Sequence, residues 1–219
     1  MYQYVIFDLD GTLLNTIDDL ADAGNHVCQL HGWPTHSVEE YKYFVGNGIP
    51  KLVERFFPEE CREPALIKRV LEEEFTPYYD AHKEDKTAPY PGVPQLLDRI
   101  KAAGVSMAVL SNKGHALARP VVEHYYPGVF PYVQGALPDC PTKPDPTLLR
   151  RLMTEMGATK ENTLFVGDSN VDIRTARNGE LTSCGVLWGF RTRQELETEG
   201  ADFIAETPDQ LERLILQGR

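Results

Sequence analysis

Two aspartates that follow a short apolar run are the residues in this chain with the clearest potential for chemistry. Residues 4–7 are all apolar or aromatic, which is typical of a buried strand in a parallel sheet. Asp8, Asp10 and Gly11 follow directly, and open α/β sheets bind their ligands at the carboxyl ends of the strands. Because a buried carboxylate without a partner is costly, the pair predicts a compensating group, most simply a divalent cation. The alternative is an ordinary strand that ends in an Asp-Gly turn.

Polar residues near the ends of two later strands provide possible partners for these aspartates. We predict the two strands over residues 105–110 and 163–166. The polar residues that follow them, or that lie on the loop between them, are Ser111, Asn112, Lys143, Asp168 and Asp172. Each has an ordinary alternative as a helix cap, a turn residue or a solvated lysine. Their shared position near strand ends in an alternating fold favours a single site.

The elements around these residues predict an α/β protein with a doubly wound, mainly parallel sheet, that is, a Rossmann-like core. From residue 91 onward, helical and strand patterns alternate along the chain. Between residues 17 and 80 the apolar spacing is helical, and no convincing strand occurs. We therefore predict an α/β catalytic core from residues 1–14 and 88–219. An all-helical cap domain, residues 15–87, is inserted after the first strand, where it can act as a lid.

The composition and the charge narrow the range of partners. With 219 residues, of which 42% are hydrophobic and 25% charged, this is an ordinary globular chain. No run approaches the roughly 20 apolar residues of a membrane span, so no membrane partner is predicted. The net charge of −11 argues against nucleic acid, whose phosphates need a basic surface. An anionic substrate must then be attracted by local cations or by a metal.

The first residues and the cysteines indicate in which cellular compartment the protein is expected. The chain begins with a strand pattern. It does not begin with a basic segment followed by an apolar one, so we predict no secretory signal. Cys28, Cys61, Cys140 and Cys184 are far apart and form no C-x-x-C pair. We therefore expect reduced thiols in a cytoplasmic protein, rather than a disulfide framework or a zinc site.

Taken together, the motifs resemble those of the haloacid dehalogenase-like hydrolase superfamily. Four short motifs match in order: Asp8-Leu-Asp-Gly-Thr12, a strand ending at Ser111-Asn112, Lys143-Pro-Asp-Pro146, and Gly167-Asp-Ser-Asn-Val-Asp172. With the helical insert, the resemblance covers the whole chain. Two further segments are similar to the phosphoglycolate phosphatase group: Val45-Gly-Asn-Gly-Ile-Pro50 and Gly185-Val-Leu-Trp-Gly-Phe-Arg191.

The resemblance implies a phosphatase that uses Mg²⁺ to hydrolyse a small phosphorylated metabolite, such as 2-phosphoglycolate, through an aspartyl-phosphate intermediate. Asp8 would be the nucleophile, since a carboxylate is ionised at neutral pH and needs no separate base. Asp10 would be the general acid for the leaving alkoxide and then the base that activates water. Lys143 would neutralise charge on Asp8 and on the transferring phosphoryl group.

The same resemblance implies ligands for the metal and for the phosphoryl group. Mg²⁺ prefers hard oxygen ligands and would be held by the Asp8 carboxylate, the Asp10 backbone carbonyl and Asp168. Asp172 would support this metal site from behind its ligands or through a water molecule. The groups that would donate hydrogen bonds to the phosphoryl oxygens, or neutralise them, are Thr12, Ser111, Asn112 and Lys143.

Residues of the helical insert are candidates for substrate selection. A flexible Gly-Asn-Gly turn, residues 46–48, precedes a predicted helix, and such a helix start suits an anion. An exposed turn between helices, with cations on the surface, is the alternative. We expect substrate contacts at Gly48, Lys51 and Arg55, and Arg191 is a further candidate.

Other activities of the superfamily stay open at this point. Asp10 favours phosphate-ester chemistry over dehalogenation or phosphonate cleavage, which do not need this second aspartate. A sugar-phosphate mutase similar to β-phosphoglucomutase, or a pyrophosphate or nucleotide phosphatase, would keep the same motifs. A catalytically silent binding protein has no reason to retain Asp8, Asp10, Lys143 and Asp168 together. The chain is compatible with a monomer or a homodimer.

Overall fold

The chain forms two compact units in the computed structural model, which describes residues 1–218. The first unit consists of Met1–Leu14 together with the chain from Pro89 onward. The second unit is Asn15–Ala88. The motif residues from Asp8 to Thr12 and from Ser111 to Asp172 all belong to the first unit.

The first unit is built around a parallel sheet of six strands. In chain order, the strands of the molecule are β1 (Tyr4–Phe7), β2 (Leu14–Asn15), β3 (Ala88–Pro89), β4 (Ser106–Gly114), β5 (Tyr132–Ala136), β6 (Thr163–Gly167), β7 (Thr182–Val186) and β8 (Phe203–Ala205). β2 and β3 lie where the chain passes from one unit to the other. The remaining strands form the sheet in the order β5-β4-β1-β6-β7-β8, with parallel pairing throughout. The predicted parallel, doubly wound sheet is therefore confirmed.

The side chains of the central strands alternate between two hydrophobic clusters. Val5 and Phe7 of β1 belong to one cluster, and Ile6 belongs to the other. On β6, Val166 joins the first cluster and Phe165 the second. Because successive residues of a strand point to opposite faces, this division shows that both faces of the sheet are covered.

The described part of the chain contains eleven α-helices. They are α1 (Ile17–Leu30), α2 (Val38–Phe44), α3 (Ile49–Phe56), α4 (Pro64–Val70), α5 (Thr76–His82), α6 (Val93–Ala102), α7 (His115–Tyr125), α8 (Thr147–Met156), α9 (Asn170–Asn178), α10 (Arg193–Thr198) and α11 (Pro208–Gln217). A π-helical turn, Leu71–Phe75, joins α4 to α5, and short 3₁₀ turns occupy Glu59–Cys61 and Lys160–Asn162. No described helix is both long and apolar enough to span a membrane.

The strand β4 is longer than its apolar run predicted. We expected it to end before Ser111, but it continues to Gly114, with a shift of register between Leu110 and Gly114. Polar residues can occupy this buried stretch because they find partners there; for example, the Lys113 backbone N–H donates to Ser111 Oγ over 3.1 Å. The polar run therefore lies inside the strand and does not simply follow it.

The helix α10 has no counterpart among the predicted elements. It has six residues, and Leu196 is its only buried residue, so it produces no apolar periodicity that could be recognised. A capping box starts it, with the Thr192 and Glu195 side chains bonded to each other's backbone N–H groups.

The second unit is helical between its two boundary segments. Its interior is rich in aromatic side chains, and the rings of Phe56, Phe75 and Tyr79 stack in succession, with centroids 6.1 Å and 5.9 Å apart. Gly24 of α1 lets Tyr41 approach, since a Cβ at this position would lie 2.2 Å from the Tyr41 hydroxyl. This contact packs α1 closely against α2.

A buried carboxylate ties the start of α1 to the end of the second unit. Asp19 accepts hydrogen bonds from the Lys86 and Thr87 backbone N–H groups, at 2.9 and 2.8 Å, and from Thr87 Oγ1 at 2.7 Å. Asp19→Ala would remove this acceptor from the buried Thr87 groups and from the part-buried Lys86 N–H. We expect it to lower the free energy of unfolding in urea by about 2–3 kcal/mol. Asp22→Ala on the same helix is the control, because its exposed ion pair with Lys86 contributes less than about 1 kcal/mol. Equal effects of the two substitutions would contradict the role of Asp19.

Candidate active site

Charged side chains gather at the carboxyl edge of the central strands. β1 lies between β4 and β6, and its last residue, Phe7, pairs with Val109 on one side and Val166 on the other. Asp8 therefore leaves β1 beside the polar part of β4 and the end of β6. The charged residues that meet here, which we call the charged cluster, are Asp8, Asp10, Lys113, Lys143, Asp168 and Asp172. All are buried except Asp10, whose side chain is 13% exposed.

Lys143 joins two of the carboxylates. Its Nζ lies 2.7 Å from Asp8 Oδ1 and 2.7 Å from Asp172 Oδ1. Asn112 fixes the backbone of Lys143 from β4, because its Oδ1 accepts from the Lys143 N–H at 2.8 Å and its Nδ2 donates to the Lys143 carbonyl at 3.0 Å. We predicted Asn112 as a donor to phosphoryl oxygens, whereas the structure places its amide on this loop. Its observed contacts orient the lysine.

Asp168 is held by groups from two other segments. Its Oδ1 accepts from Thr12 Oγ1 at 3.0 Å, and its Oδ2 accepts from the Phe190 backbone N–H at 2.8 Å. The hydroxyl of Thr12, predicted to face the phosphoryl group, thus faces Asp168 here. Trp188 completes the arrangement by donating from Nε1 to the Thr12 carbonyl at 2.9 Å. A Cβ on Gly189 would lie 2.2 Å from Asp168 Cβ, so only glycine allows this loop to approach.

Asp172 is fixed at the first turn of α9. Its Oδ2 accepts from the Ser169 backbone N–H at 3.0 Å and from the Ser169 hydroxyl at 2.6 Å. Its Oδ1 accepts from Lys143 Nζ. A Cβ on Gly167 would come within 2.2 Å of Asp172 Cβ, so β6 must end in glycine for α9 to begin here.

Three of the carboxylates are arranged as metal ligands. Asp8, Asp168 and Asp172 each offer an oxygen, and the three oxygens lie within 4.8 Å of one another. The resemblance implies Asp8, Asp168 and the Asp10 backbone carbonyl as ligands, with Asp172 in support; in the structure Asp172 lies in the same group of carboxylates as Asp8 and Asp168. A buried set of hard oxygen atoms suits Mg²⁺ or a similar divalent cation.

The electrostatics of these carboxylates also favour a cation. Burial, together with Asp172 and Asp168, raises the pKa of Asp8 well above its usual range, although Lys143 opposes the shift. Burial and Asp172 raise the pKa of Asp168 to about 7, opposed by hydrogen bonds from Phe190 and Thr12 and by the charge of Arg191. Burial alone would lower the pKa of Lys143, but Asp172 and Asp8 raise it above its usual value. The protein alone therefore supplies too little positive charge for all of its carboxylates.

Lys113 is the member of the charged cluster that the sequence did not reveal. Its Nζ lies 3.1 Å from Asp10 Oδ1, and its side chain is only 2% exposed. The polar run after Leu110 predicts the end of a strand, and this prediction includes only Ser111 and Asn112 in the site. The available signal was a third polar residue in the same run, which an ordinary turn does not need.

The predicted contacts of the helical insert lie in the second unit. Gly48 precedes α3 with a φ of 84°, which favours glycine. Lys51 pairs with Glu54 at 2.6 Å. Arg55 donates from Nη1 to the Phe44 carbonyl at 2.8 Å and from Nη2 to Asn47 Oδ1 at 2.8 Å. These bonds hold the end of α2 and the glycine turn in place.

Comparisons with known proteins identify the family of this chain. A model of the haloacid dehalogenase-like hydrolase family matches residues 5–186. The phosphoglycolate phosphatase of Agrobacterium fabrum is 33% identical, over 97% of this chain and 94% of the relative. That of Vibrio parahaemolyticus is 31% identical, over 94% of this chain and 93% of the relative. A crystal structure from Lactobacillus delbrueckii subsp. bulgaricus, provisionally described as a phosphoglycolate phosphatase, is 33% identical, with a TM-score of 0.93 over 98% of both chains.

The chain therefore belongs to the haloacid dehalogenase-like hydrolase family, within its phosphoglycolate phosphatase-like group. It is a phosphatase enzyme, and the resemblance inferred from its four motifs is confirmed.

Proposed function

We propose that this enzyme is a Mg²⁺-dependent phosphatase that hydrolyses a small phosphate monoester, 2-phosphoglycolate or a similar compound, through an aspartyl-phosphate. The observation that carries this proposal is the placement of Asp8 beside Lys143, 2.7 Å away, and within the acidic group that it forms with Asp168 and Asp172. A carboxylate in this position can attack phosphorus while its neighbours hold the opposing charges. The names of the relatives support 2-phosphoglycolate as the first substrate to test.

In the first step, an oxygen of Asp8 forms a bond to phosphorus as the bond to the leaving alkoxide breaks. Asp10 gives its proton to that alkoxide, so the alcohol product departs neutral. In the second step, Asp10 takes a proton from water, and the water oxygen attacks phosphorus and releases Asp8. Lys143 stabilises the negative charge that Asp8 carries before attack and after release.

We propose that Asp8, the Asp10 backbone carbonyl and Asp168 hold Mg²⁺, with Asp172 in support. When bound, the cation neutralises charge on the transferring phosphoryl group. Asp172 contributes by fixing Lys143, and Thr12 by fixing Asp168. Ser111, Thr12 and Asn112 remain proposed as groups of the phosphate site, with Thr12 and Asn112 also positioning the charged residues around it.

Metal binding should change the pH dependence of stability. Without metal, the raised pKa of Asp168, about 7, means that the folded protein holds protons that the unfolded chain releases near pH 4. The stability of the metal-free protein should therefore fall as the pH rises from about 4 through about 7. Mg²⁺ competes with these protons, so the stabilisation it gives should grow over the same range. It should reach about 2–3 kcal/mol when Mg²⁺ exceeds its Kd about 100-fold.

Melting temperatures with EDTA or with Mg²⁺, recorded from about pH 5 to about pH 8, measure this effect. Asp168→Asn is the matched variant, because it removes the titrating group and a proposed ligand while keeping the shape of the side chain. It should melt at nearly the same temperature with EDTA and with Mg²⁺. A Mg²⁺ shift that is the same at all pH values, or that survives in Asp168→Asn, would contradict the assigned site.

We propose that residues 1–14 and 88–219 act as the catalytic core and residues 15–87 as a cap that selects the substrate, with contacts at Gly48, Lys51 and Arg55. Lys51→Ala should raise KM for 2-phosphoglycolate about 10-fold and leave kcat and the KM for ethyl phosphate unchanged, because only the first substrate has a carboxylate. Arg55 is less suitable for this test, since its substitution also removes the bonds to Phe44 and Asn47. Lys42→Ala is the control, because Lys42 forms the same kind of pair with Glu39. An unchanged KM in Lys51→Ala would remove this residue from the substrate site.

A panel of small phosphate monoesters with Mg²⁺ tests the activity itself. The proposal expects inorganic phosphate as the product, with 2-phosphoglycolate among the best substrates. An isomeric sugar phosphate as the main product would instead favour a mutase, and preferred release from pyrophosphate or nucleotides would replace the proposed substrate class.

A further inference from the structure

Lys113 is a second buried lysine beside the proposed catalytic aspartates. Lys113 Nζ lies 3.1 Å from Asp10 Oδ1, and Lys143 Nζ lies 2.7 Å from Asp8 Oδ1, so each of the two proposed catalytic carboxylates has an ammonium group beside it. The charged cluster thus contains four carboxylates and two ammonium groups. With every group ionised, this set carries an excess of two negative charges, which is the charge that one divalent cation would balance.

The backbone of Lys113 is fixed from several directions. It lies where the register of β4 shifts, and its N–H donates to Ser111 Oγ at 3.1 Å. On the neighbouring strand, a Cβ on Gly135 would come within 2.6 Å of the Lys113 carbonyl, so β5 passes closely at this point. The Gly135 N–H donates to His115 Nδ1 at 3.2 Å and so holds the first residue of α7. Such support is what the accurate placement of a side chain requires.

The Asp10 oxygen nearest Lys113 accepts no hydrogen bond from the described residues. Asp10 Oδ1 is buried, and although Lys113 Nζ lies within ion-pair distance, no described residue completes a hydrogen bond to this oxygen. A buried oxygen in this state is normally matched by a ligand or a water molecule. Asp10 Oδ1 therefore lies beside the positive charge of Lys113 and can still form a hydrogen bond with the reacting group.

We propose that Lys113 is a positioning residue that holds the Asp10 carboxyl group in place for proton transfer. This inference rests on the proposed acid and base role of Asp10. In this arrangement Lys143 serves the nucleophile, whereas Lys113 serves the group that handles protons. A lysine that instead bound the transferring phosphoryl group would affect every substrate in the same way.

The test compares two substrates that differ in their need for a proton. The ethoxide of ethyl phosphate needs protonation as it leaves, whereas p-nitrophenolate is stable without it. Because kcat/KM reports only steps up to the departure of the leaving group, the second step does not enter the comparison. Lys113→Met should lower kcat/KM for ethyl phosphate about 10- to 100-fold and for p-nitrophenyl phosphate less than about threefold. Lys113→Arg should restore most of the loss.

Two controls separate the possible outcomes. Lys160→Met removes the same charge from an exposed pair with Glu180 in the same unit and should change neither substrate. Asp10→Asn should reproduce the selective loss. If Asp10→Asn is selective and Lys113→Met lowers both substrates equally or neither, the inference fails while the proposed function stands. If Asp10→Asn is not selective, the proposed role of Asp10 fails as well.

A second readout is independent of activity. In urea unfolding of the metal-free protein, the variants Lys113→Met, Asp10→Asn and their combination form a double-mutant cycle. The proposal expects the combined loss to differ from the sum of the single losses, since each substitution removes the same ion pair. Additive losses would overturn the coupling on which the positioning role depends.

Discussion

Replacing Asp8 with asparagine should abolish phosphate release while leaving the metal-free fold at least as stable as before. The substitution removes the attacking oxygen anion, and loss of the nucleophile is expected to lower kcat by roughly 10⁴-fold or more. It also removes a buried charge that burial, Asp172 and Asp168 all disfavour. Lys143 should keep a partner in this variant, because its 2.7 Å contact with Asp172 does not involve Asp8. Activity and stability should therefore change independently.

The two properties are measured by phosphate release with Mg²⁺ and by urea unfolding with EDTA. Asp98→Asn is the matched control, since this aspartate is exposed on α6 and belongs to neither the site nor its supports. It should leave both properties unchanged. An Asp8→Asn protein that kept a tenth of the wild-type rate, or that was much less stable without metal, would contradict the assigned role.

Replacing Lys143 with methionine should abolish activity and also destabilise the metal-free protein strongly. Lys143 is the common partner of Asp8 and Asp172, so its loss leaves two buried carboxylates without their ammonium group. Breaking a buried ion pair on one side is expected to cost about 3–5 kcal/mol of unfolding free energy. Mg²⁺ should restore part of this loss, since it supplies positive charge near the same carboxylates.

The combination of Asp8→Asn with Lys143→Met tests the reason for that loss. If unpaired buried charge causes the loss of stability, the double variant should be more stable than Lys143→Met alone. Asp8→Asn neutralises one of the two carboxylates that have lost their lysine. Lys160→Met controls for the loss of a lysine and should be nearly neutral. A Lys143→Met protein with wild-type stability in EDTA would mean that the buried ion pairs do not govern the site.

The central part of the fold was predictable because its signals are local. The apolar run of β1 and the aspartates that follow it identify a strand end in a parallel sheet, and the register with β4 and β6 explains why the later polar residues meet there. The parallel sheet and the family were recognised from these features. The helix α10 escaped recognition because one buried residue, Leu196, produces no periodicity.

The partners of the polar side chains could not be predicted from the sequence. The hydroxyl of Thr12 and the amide of Asn112 can each donate a hydrogen bond to a ligand or to another protein group. The spacing of residues along the chain does not show which of the two acceptors is used. In the folded chain, Thr12 donates to Asp168 and Asn112 holds the Lys143 backbone. Lys113 was missed for a related reason, since only the register shift of β4 and the approach of Asp10 distinguish it from a solvated lysine.

The most direct test of the account is to trap the covalent intermediate on Asp8. The enzyme is mixed with Mg²⁺ and a monoester substrate, quenched in acid within the first turnover, digested, and examined by mass spectrometry. We predict one phosphoryl group on the peptide that carries Asp8, lost on treatment with hydroxylamine and absent from Asp8→Asn. A phosphoryl group on another residue, or phosphate release at the wild-type rate by Asp8→Asn, would contradict it.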